Sequence, residues 1–335
     1  MTSEGKSALT PRTYQANITP MMREDIKKVG VVGAGTMGHG IALNFALWGY
    51  PTLLHDLTEE LLAKASDRIV LALNAFVKEK LITRKQATAG AKNITLTTDL
   101  SAFAGCDFIT EVITESVAEK KKLFNHLDNL CPPHTIIASN TSILLLSDFA
   151  AEVKRQDKVL ITHYFVPPHI VPGVEVVKGP GTSEETFNIA YELMKKINKV
   201  PVRVLKEQPG SLLGRLQNAL RREAYRAWAE GIATEEDIDL GVRTTFGFRS
   251  IHEGPMLHYD LSGVWRWDKD VRLGMLSRQL EKDPGLSPEA IDKIKKRLAD
   301  GKPWLIDPTE FDVTTEEIQR KYLRCLKEFY WQGKR

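Results

Sequence analysis

Short apolar runs alternate along this chain with longer stretches whose apolar residues recur at helical spacing. The first run, Val29-Gly30-Val31-Val32, leads through Gly33-Ala34-Gly35-Thr36-Met37-Gly38 into a helical pattern of Ile41, Ala42, Phe45, Ala46 and Trp48. A second run, Thr52-Leu53-Leu54-His55, precedes an amphipathic stretch from Glu59 to Leu81. That stretch is long for a simple crossover and predicts part of a projecting helical hairpin. Further strands are predicted at Ile94–Thr97, Phe108–Ile113, Thr135–Ala138, Val159–Thr162, Val174–Val177 and Val200–Leu205. Helical spacing at Leu100–Phe103, Ser116–Leu130 and Ser183–Ile197 falls between them. Such alternation predicts an α/β fold with a doubly wound, mostly parallel sheet.

Past Gln208-Pro209-Gly210 the strand signals stop. Helices are predicted over Leu212–Glu230 and Thr234–Phe246, and a third opens at Ser287-Pro288-Glu289, with proline at its first position. Thr314-Thr315-Glu316-Glu317 has capping-box spacing and predicts the start of a last helix. The expected organisation is a flexible arm over 1–25, a sheet domain over 26–207 and an all-helical domain over 208–335.

At 335 residues the chain can bury two domain cores. Its 46 lysines and arginines nearly balance 43 acids. This balance argues against a nucleic-acid or membrane-surface partner, and no apolar run reaches the roughly 20 residues of a membrane span. The three cysteines, Cys106, Cys131 and Cys325, lack metal-ligand spacing. They read as reduced thiols in a cytoplasmic protein without a metal site. Residues 1–25 mix acids with bases, unlike a mitochondrial presequence, and Gly333-Lys334-Arg335 is not a peroxisomal signal.

The Gly33, Gly35 and Gly38 spacing at a strand-to-helix turn has a specific use. Gly33 permits a tight turn, Gly35 lets backbone approach a pyrophosphate, and Gly38 allows close helix packing. The pyrophosphate would sit on the free N–H groups of the helix N-terminus, beside Thr36 and Met37. Asp56, at the end of the second strand, stands where an acid would bind the adenosine ribose and repel a 2′-phosphate. Leu57 follows it rather than an arginine, so NAD is expected over NADP. The competing reading of Asp56 is that it merely precedes a helix capped by Thr58.

In open α/β sheets, ligands bind beyond the carboxyl ends of the strands. Glu115, the Ser139–Ser142 cluster and His163 stand at such ends. A ketone-forming hydride transfer needs a base near neutrality, and histidine suits it. Glu175, a charge inside an apolar strand, is costly to bury unless paired, and could orient that histidine. A structural His163, with His169 as the base instead, is the open alternative. Lys120-Lys121-Lys122 reads as a solvated helix face, and Ser142 as either a substrate contact or a helix cap.

Four motifs carry a resemblance. Gly33–Gly38, Ser139-Asn140-Thr141-Ser142, His163-Tyr164-Phe165-Val166-Pro167 with Glu175, and Gly210–Gln217 resemble the L-3-hydroxyacyl-CoA dehydrogenase family over about residues 27–265. The resemblance implies a Rossmann domain, a helical dimerising domain, a homodimer and an acyl-CoA or related 3-hydroxy acid as substrate. It assigns His163 as base, Glu175 as its orienting acid and Ser142 to the substrate oxygen. Asn140, Glu115 and Lys120 match cofactor-facing positions. Two positions depart, since Val166 and Gly214 stand where the family carries asparagine. The tail, Lys321–Phe329, is more similar to the branch with lambda-crystallin, gulonate dehydrogenase and carnitine dehydrogenase. These departures raise the alternative of an NAD-binding member with little or no catalytic activity.

Overall fold

A computed structural model of the chain describes residues 26–280 and 286–330. The arm assigned to 1–25 lies outside the described residues. The chain divides into two compact units, one ending at Ala219 and the other beginning at Leu220.

The first unit alternates strand and helix as β1 (Val29–Val32), α1 (Gly38–Leu47), β2 (Thr52–His55), α2 (Glu59–Lys78), α3 (Arg84–Lys92) and β3 (Ile94–Thr97). It continues through β4 (Phe108–Glu111), α4 (Val117–Leu130), β5 (Ile136–Ser139), α5 (Leu146–Phe149), β6 (Val159–Tyr164), β7 (Gly173–Lys178), α6 (Glu184–Lys196) and β8 (Val200–Val204). The strands form one eight-stranded sheet in the order β3-β2-β1-β4-β5-β6-β7-β8. Every pairing is parallel except β6 with β7. This is the doubly wound Rossmann arrangement, with its topological switch between β1 and β4.

The central strands are apolar on both faces because helices cover both. Val29, Val31, Ile41, Phe45 and Leu54 belong to one buried cluster. Phe103, Ile109, Phe124, Ile137 and Phe149 belong to the other. The outermost strand β8 contains Pro201 and Arg203, and the Arg203 guanidinium stacks 3.9 Å from the Tyr191 ring centroid.

The predicted excursion is a hairpin of two helices, α2 and α3. Thr58 caps α2 by accepting the Leu61 N–H, and Thr83 with Gln86 forms a capping box on α3. Sequence periodicity missed α3 because only Ala87 and Gly90 of its residues are buried, leaving no stripe of large apolar side chains.

Helix α7 (Leu212–Ala229) follows, and then α8 (Glu235–Thr244), α9 (Phe246–Arg249), α10 (Pro255–Leu261), α11 (Lys269–Leu280), α12 (Pro288–Ala299) and α13 (Phe311–Phe329). In the second unit Asp260 is fully buried and accepts the N–H groups of Trp304, Leu305 and Ile306. The capping box expected at Thr314 does not form. The last helix already begins at Phe311, after a tight turn over Pro308–Glu310 that Asp307 initiates by accepting the Thr309 N–H.

The glycine-rich turn has steric requirements that differ from residue to residue. Gly33 has φ +105, and a Cβ there would stand 2.6 Å from the Val112 carbonyl oxygen. A Cβ on Gly38 would stand 1.7 Å from the Gly33 carbonyl oxygen, whereas one on Gly35 would meet nothing within 4 Å. Gly38→Ala is therefore expected to destabilise the fold by at least the ~1–3 kcal/mol of an overpacked core, roughly 2–12 °C in Tm for a protein of this size. Gly35→Ala should melt like wild type, and thermal unfolding of both variants checks the contrast.

Lys199 is buried, and its ammonium donates to the carbonyls of Pro168 (2.5 Å) and Val171 (2.9 Å). These bonds pin the turn that follows β6. Burial lowers its pKa from 10.5 to about 8. Below pH 8 both folded and unfolded chains bind the proton, and the penalty for burying the charge is fully present. Between about pH 8 and 10.5 the unfolded chain binds more protons, so this residue adds stability as pH rises. The stability of wild type relative to Lys199→Met should thus improve from pH 7 to 10, measured by denaturant titration.

Candidate active site

The carboxyl ends of the parallel strands are brought into line by register. Glu111 at the end of β4 pairs with Val32 of β1 on one side and with Ser139 of β5 on the other. Beyond these ends lies a cleft of about 820 Å³. Its walls include Thr36, Met37, Glu115, Lys120, Asn140, Ser142 and His163, together with both departing positions, Val166 and Gly214. A second depression, of about 580 Å³, contains Gly33, Gly35 and Asp56. The two share Val112, Ile113 and Thr114, so they form one groove across the switch point.

That groove suits a dinucleotide. The open space over Gly35 is room that a side chain would fill, and it lies beside the N-terminus of α1, where the helix dipole favours a pyrophosphate. Asp56 accepts the Ala34 N–H on Oδ2 and the Leu57 N–H on Oδ1, both at 2.8 Å. A carboxylate offers about four acceptor sites, so two remain for ribose hydroxyls. Thr58 does cap α2, and Asp56 serves the glycine turn as well.

His163 and Glu175 are directly opposed across the antiparallel pair β6–β7. His163 Nδ1 lies 2.6 Å from Glu175 Oε2. Glu175 is fully buried, and His163 is nearly so. The other carboxylate oxygen, Oε1, accepts the Leu213 N–H at 2.6 Å, from the first turn of α7. Burial opposes ionisation of Glu175, but the hydrogen bond from His163, the Leu213 N–H, the imidazole's charge and the Ser211 hydroxyl together hold its pKa below the ordinary value. With Nδ1 engaged, Nε2 is the ring nitrogen left for the cleft.

His169 stands elsewhere. Its ring packs 5.9 Å from both His39 and Phe76, its buried Nδ1 has no hydrogen-bond partner, and it does not line the cleft. Burial, followed by the charges of His39 and Lys199, lowers its pKa.

The Ser139–Ser142 segment is held by carboxylates on both sides. Glu111, fully buried, accepts the Ser139 hydroxyl (2.6 Å), the Ile113 N–H (2.7 Å) and the Lys120 ammonium (2.6 Å). Glu115 accepts the Thr141 hydroxyl at 2.9 Å and the Ser142 N–H at 3.0 Å, and lies 3.6 Å from Lys120 Nζ. Asn140 Oδ1 accepts the Tyr164 N–H at 2.8 Å, tying the end of β5 to β6. Ser142 is not a helix cap. Helix α5 starts only at Leu146, and its preceding amide, Leu145 N–H, is taken by Asp148.

The lysine run is not uniformly solvated. Lys121 and Lys122 pair with Glu152 and Glu119 at the surface, but Lys120 is 1% exposed. Lys120 lies on the inward side of α4, where Glu111 compensates its charge. Sequence reasoning singled out Glu175 as a charge within an apolar strand and passed over Glu111, to which the same argument applies. The Leu213 N–H has no sequence signal at all, being a backbone group supplied by helix geometry. Among the described residues, no group of three or more His, Cys, Asp or Glu side chains is arranged to hold a metal ion.

Residues 28–208 match the family described as 3-hydroxyacyl-CoA dehydrogenase, NAD binding domain. The chain is 36% identical over 242 residues to 3-hydroxyadipyl-CoA dehydrogenase of Escherichia coli, covering 72% of this chain and 50% of that protein. It thus spans half the length of that relative. It is 30% identical over 281 residues to the lambda-crystallin homolog of Rattus norvegicus, covering 81% of this chain and 86% of that protein. A solved 3-hydroxyacyl-CoA dehydrogenase of Archaeoglobus fulgidus superposes with a TM-score of 0.67 at 25% identity, covering 90% of this chain and 99% of that one. A glycine turn, an acid at the end of the second strand and an apposed histidine and glutamate on one Rossmann sheet thus have a common origin: the chain belongs to the 3-hydroxyacyl-CoA dehydrogenase family of NAD-dependent oxidoreductases.

Proposed function

We propose that the protein interconverts a 3-hydroxyacyl-CoA, or a related 3-hydroxy acid, and its 3-keto form, with His163 as the general base. The observation that carries this reading is the 2.6 Å contact of His163 with the buried Glu175, on an imidazole that lines the cleft. Bound along the groove by the glycine turn and Asp56, NAD would supply the hydride acceptor for the substrate carbon. His163 Nε2 takes the hydroxyl proton, and Glu175 stabilises the imidazolium so formed while fixing its tautomer. Ser142, whose backbone Glu115 holds, is positioned to hydrogen-bond the substrate oxygen. Asn140, Glu115 and Lys120 shape the nicotinamide end of the groove, and Gly33, Gly35, Thr36, Met37, Gly38 and Asp56 its adenosine and pyrophosphate end. Asp56 supports NAD over NADP, because a 2′-phosphate would meet its carboxylate.

The alternative raised by Val166 and Gly214, a cofactor-binding protein of little activity, fits less well with a buried carboxylate set against an imidazole at the cleft wall. The buried Cys106 and Cys131 are free thiols, which fits a reducing, cytoplasmic setting. Among the described residues no helix is long and apolar enough to cross a membrane.

A homodimer forms part of the same reading. Helices α7 and α8 bury none of their residues within the chain, and Tyr225, Trp228, Ile232 and Leu240 are all more than half exposed. An apolar surface of this kind favours a second copy. Light scattering at micromolar concentration should give twice the chain mass, and the chain mass itself would refute the dimer.

Following the reduced-nicotinamide absorbance across 3-hydroxyacyl-CoA esters and free 3-hydroxy acids tests the activity. Against the substrate found, His163→Ala is expected to lower kcat by about 10²–10⁴-fold with NAD affinity unchanged. Glu175→Gln should also lower kcat, since it keeps shape and loses charge. Wild-type turnover in His163→Ala would remove His163 as the base.

A further inference from the structure

Helix α1 begins differently from its neighbours around the sheet. Helices α2, α3, α4 and α6 each start on a serine or threonine hydroxyl that accepts an N–H of the first turn. Helix α1 has no such cap and no acid in its first turn. A capping side chain there would occupy N–H groups that a pyrophosphate needs. The glycine turn is held from its other side instead, by an imidazole.

His39, the second residue of α1, is 8% exposed, and its Nδ1 lies 2.8 Å from the Gly35 carbonyl oxygen. A carbonyl only accepts, so Nδ1 carries the hydrogen. Gly35 and Thr36 are exposed, Gly35 on the Asp56 side of the groove and Thr36 on the His163 side. The peptide joining them thus stands where the two halves of the groove meet. In a planar trans peptide, a C=O and the N–H that follows it point in opposite directions. Holding the Gly35 carbonyl against a buried ring turns the Thr36 N–H away from that ring. Among the described residues no backbone carbonyl accepts the Thr36 N–H.

The ring is walled in. A Cβ on Gly40 would stand 2.7 Å from His169 Nδ1 and from Pro168 Cγ, so α1 lies directly against the turn after β6. Asn44 Nδ2 donates to the Pro168 carbonyl at 2.8 Å, and the His169 ring centroid is 5.9 Å from that of His39. His169, which does not line the cleft, is part of the wall behind His39.

We propose that His39 is a positioning residue for the cofactor, turning the Gly35–Thr36 peptide so that its N–H, and not its carbonyl, faces the pyrophosphate. Without the imidazole hydrogen, that carbonyl is free to swing its lone pairs toward an anion. This inference rests on the reading of the glycine turn as the pyrophosphate seat and adds a residue that holds the turn from beneath.

Titration of the full chain with NAD, and with ADP-ribose, which lacks the nicotinamide, tests it. His39→Phe keeps a ring against His169 and loses the donor. His39→Leu loses the donor in a smaller side chain, and serves if thermal unfolding shows that the phenylalanine does not fit. His39→Asn loses the ring and keeps a donor, because its Nδ2 can stand where Nδ1 stood. Gly35→Ala, whose Cβ meets nothing in the chain yet fills the space over the turn, is the reference. The two apolar variants are expected to bind NAD and ADP-ribose about 10-fold more weakly, the order of one hydrogen bond to a charged group. His39→Asn should bind both like wild type.

Unchanged affinity in the apolar variants, or an equal loss in His39→Asn, would overturn the proposal. So would a loss for NAD alone, because the effect would then lie at the nicotinamide end. If Gly35→Ala weakens both ligands in those cases, the pyrophosphate seat stands and His39 alone is excluded. If Gly35→Ala also binds like wild type, the seat itself fails.

Discussion

The cleft depends on the one antiparallel pairing in the sheet, beyond which β7 and β8 both run against the other six strands. β7 returns antiparallel along β6, and this single reversal places His163 opposite Glu175 in register. Directly opposed residues of an antiparallel pair have close Cβ atoms, about 4.5–5.5 Å apart. A short imidazole–carboxylate contact follows from the pairing without any loop having to find its place. Parallel pairing of the same strands would space and slant the ladder differently. A slip of one residue would send Glu175 to the opposite face of the sheet. The apolar neighbours Val174 and Val176, both buried, resist that slip and so hold the carboxylate in line.

A buried charge pair supports the other wall. Glu111 and Lys120 bring no net charge into the core, and Glu111 spends its remaining acceptor capacity on Ser139 and the Ile113 N–H. Removing either partner would strand the other in an apolar setting, a loss of about 3–5 kcal/mol. The pair joins α4 to the ends of β4 and β5. It thereby fixes where Glu115 and Ser142 stand relative to the glycine turn.

Much of this was legible in the sequence. The alternating strands and helices and the glycine turn follow from periodicity, whereas the cost of an unpaired buried charge made the apposition of His163 with Glu175 one open reading, which the family resemblance favoured. What escaped reading had local physical causes. Helix α3 is built from small residues that leave no apolar stripe. Lys120 sits in a run of three lysines, and only helix rotation separates the inward one from its neighbours. The start of the last helix was missed because a proline turn with Asp307 outcompeted the threonine–glutamate signal three residues further on.

The outer strand β8 carries a consequence of a different kind. An edge strand presents unpaired backbone groups to any other chain with an exposed strand. In β8 the proline at 201 removes one donor from that row, and a cationic side chain at 203 lies folded over Tyr191. Proline within a sheet is tolerated chiefly at such an edge. The sheet therefore ends at β8 by construction, and a ninth strand from a neighbouring molecule would find a broken ladder. Edge-to-edge aggregation is discouraged there by the same few residues that complete the fold.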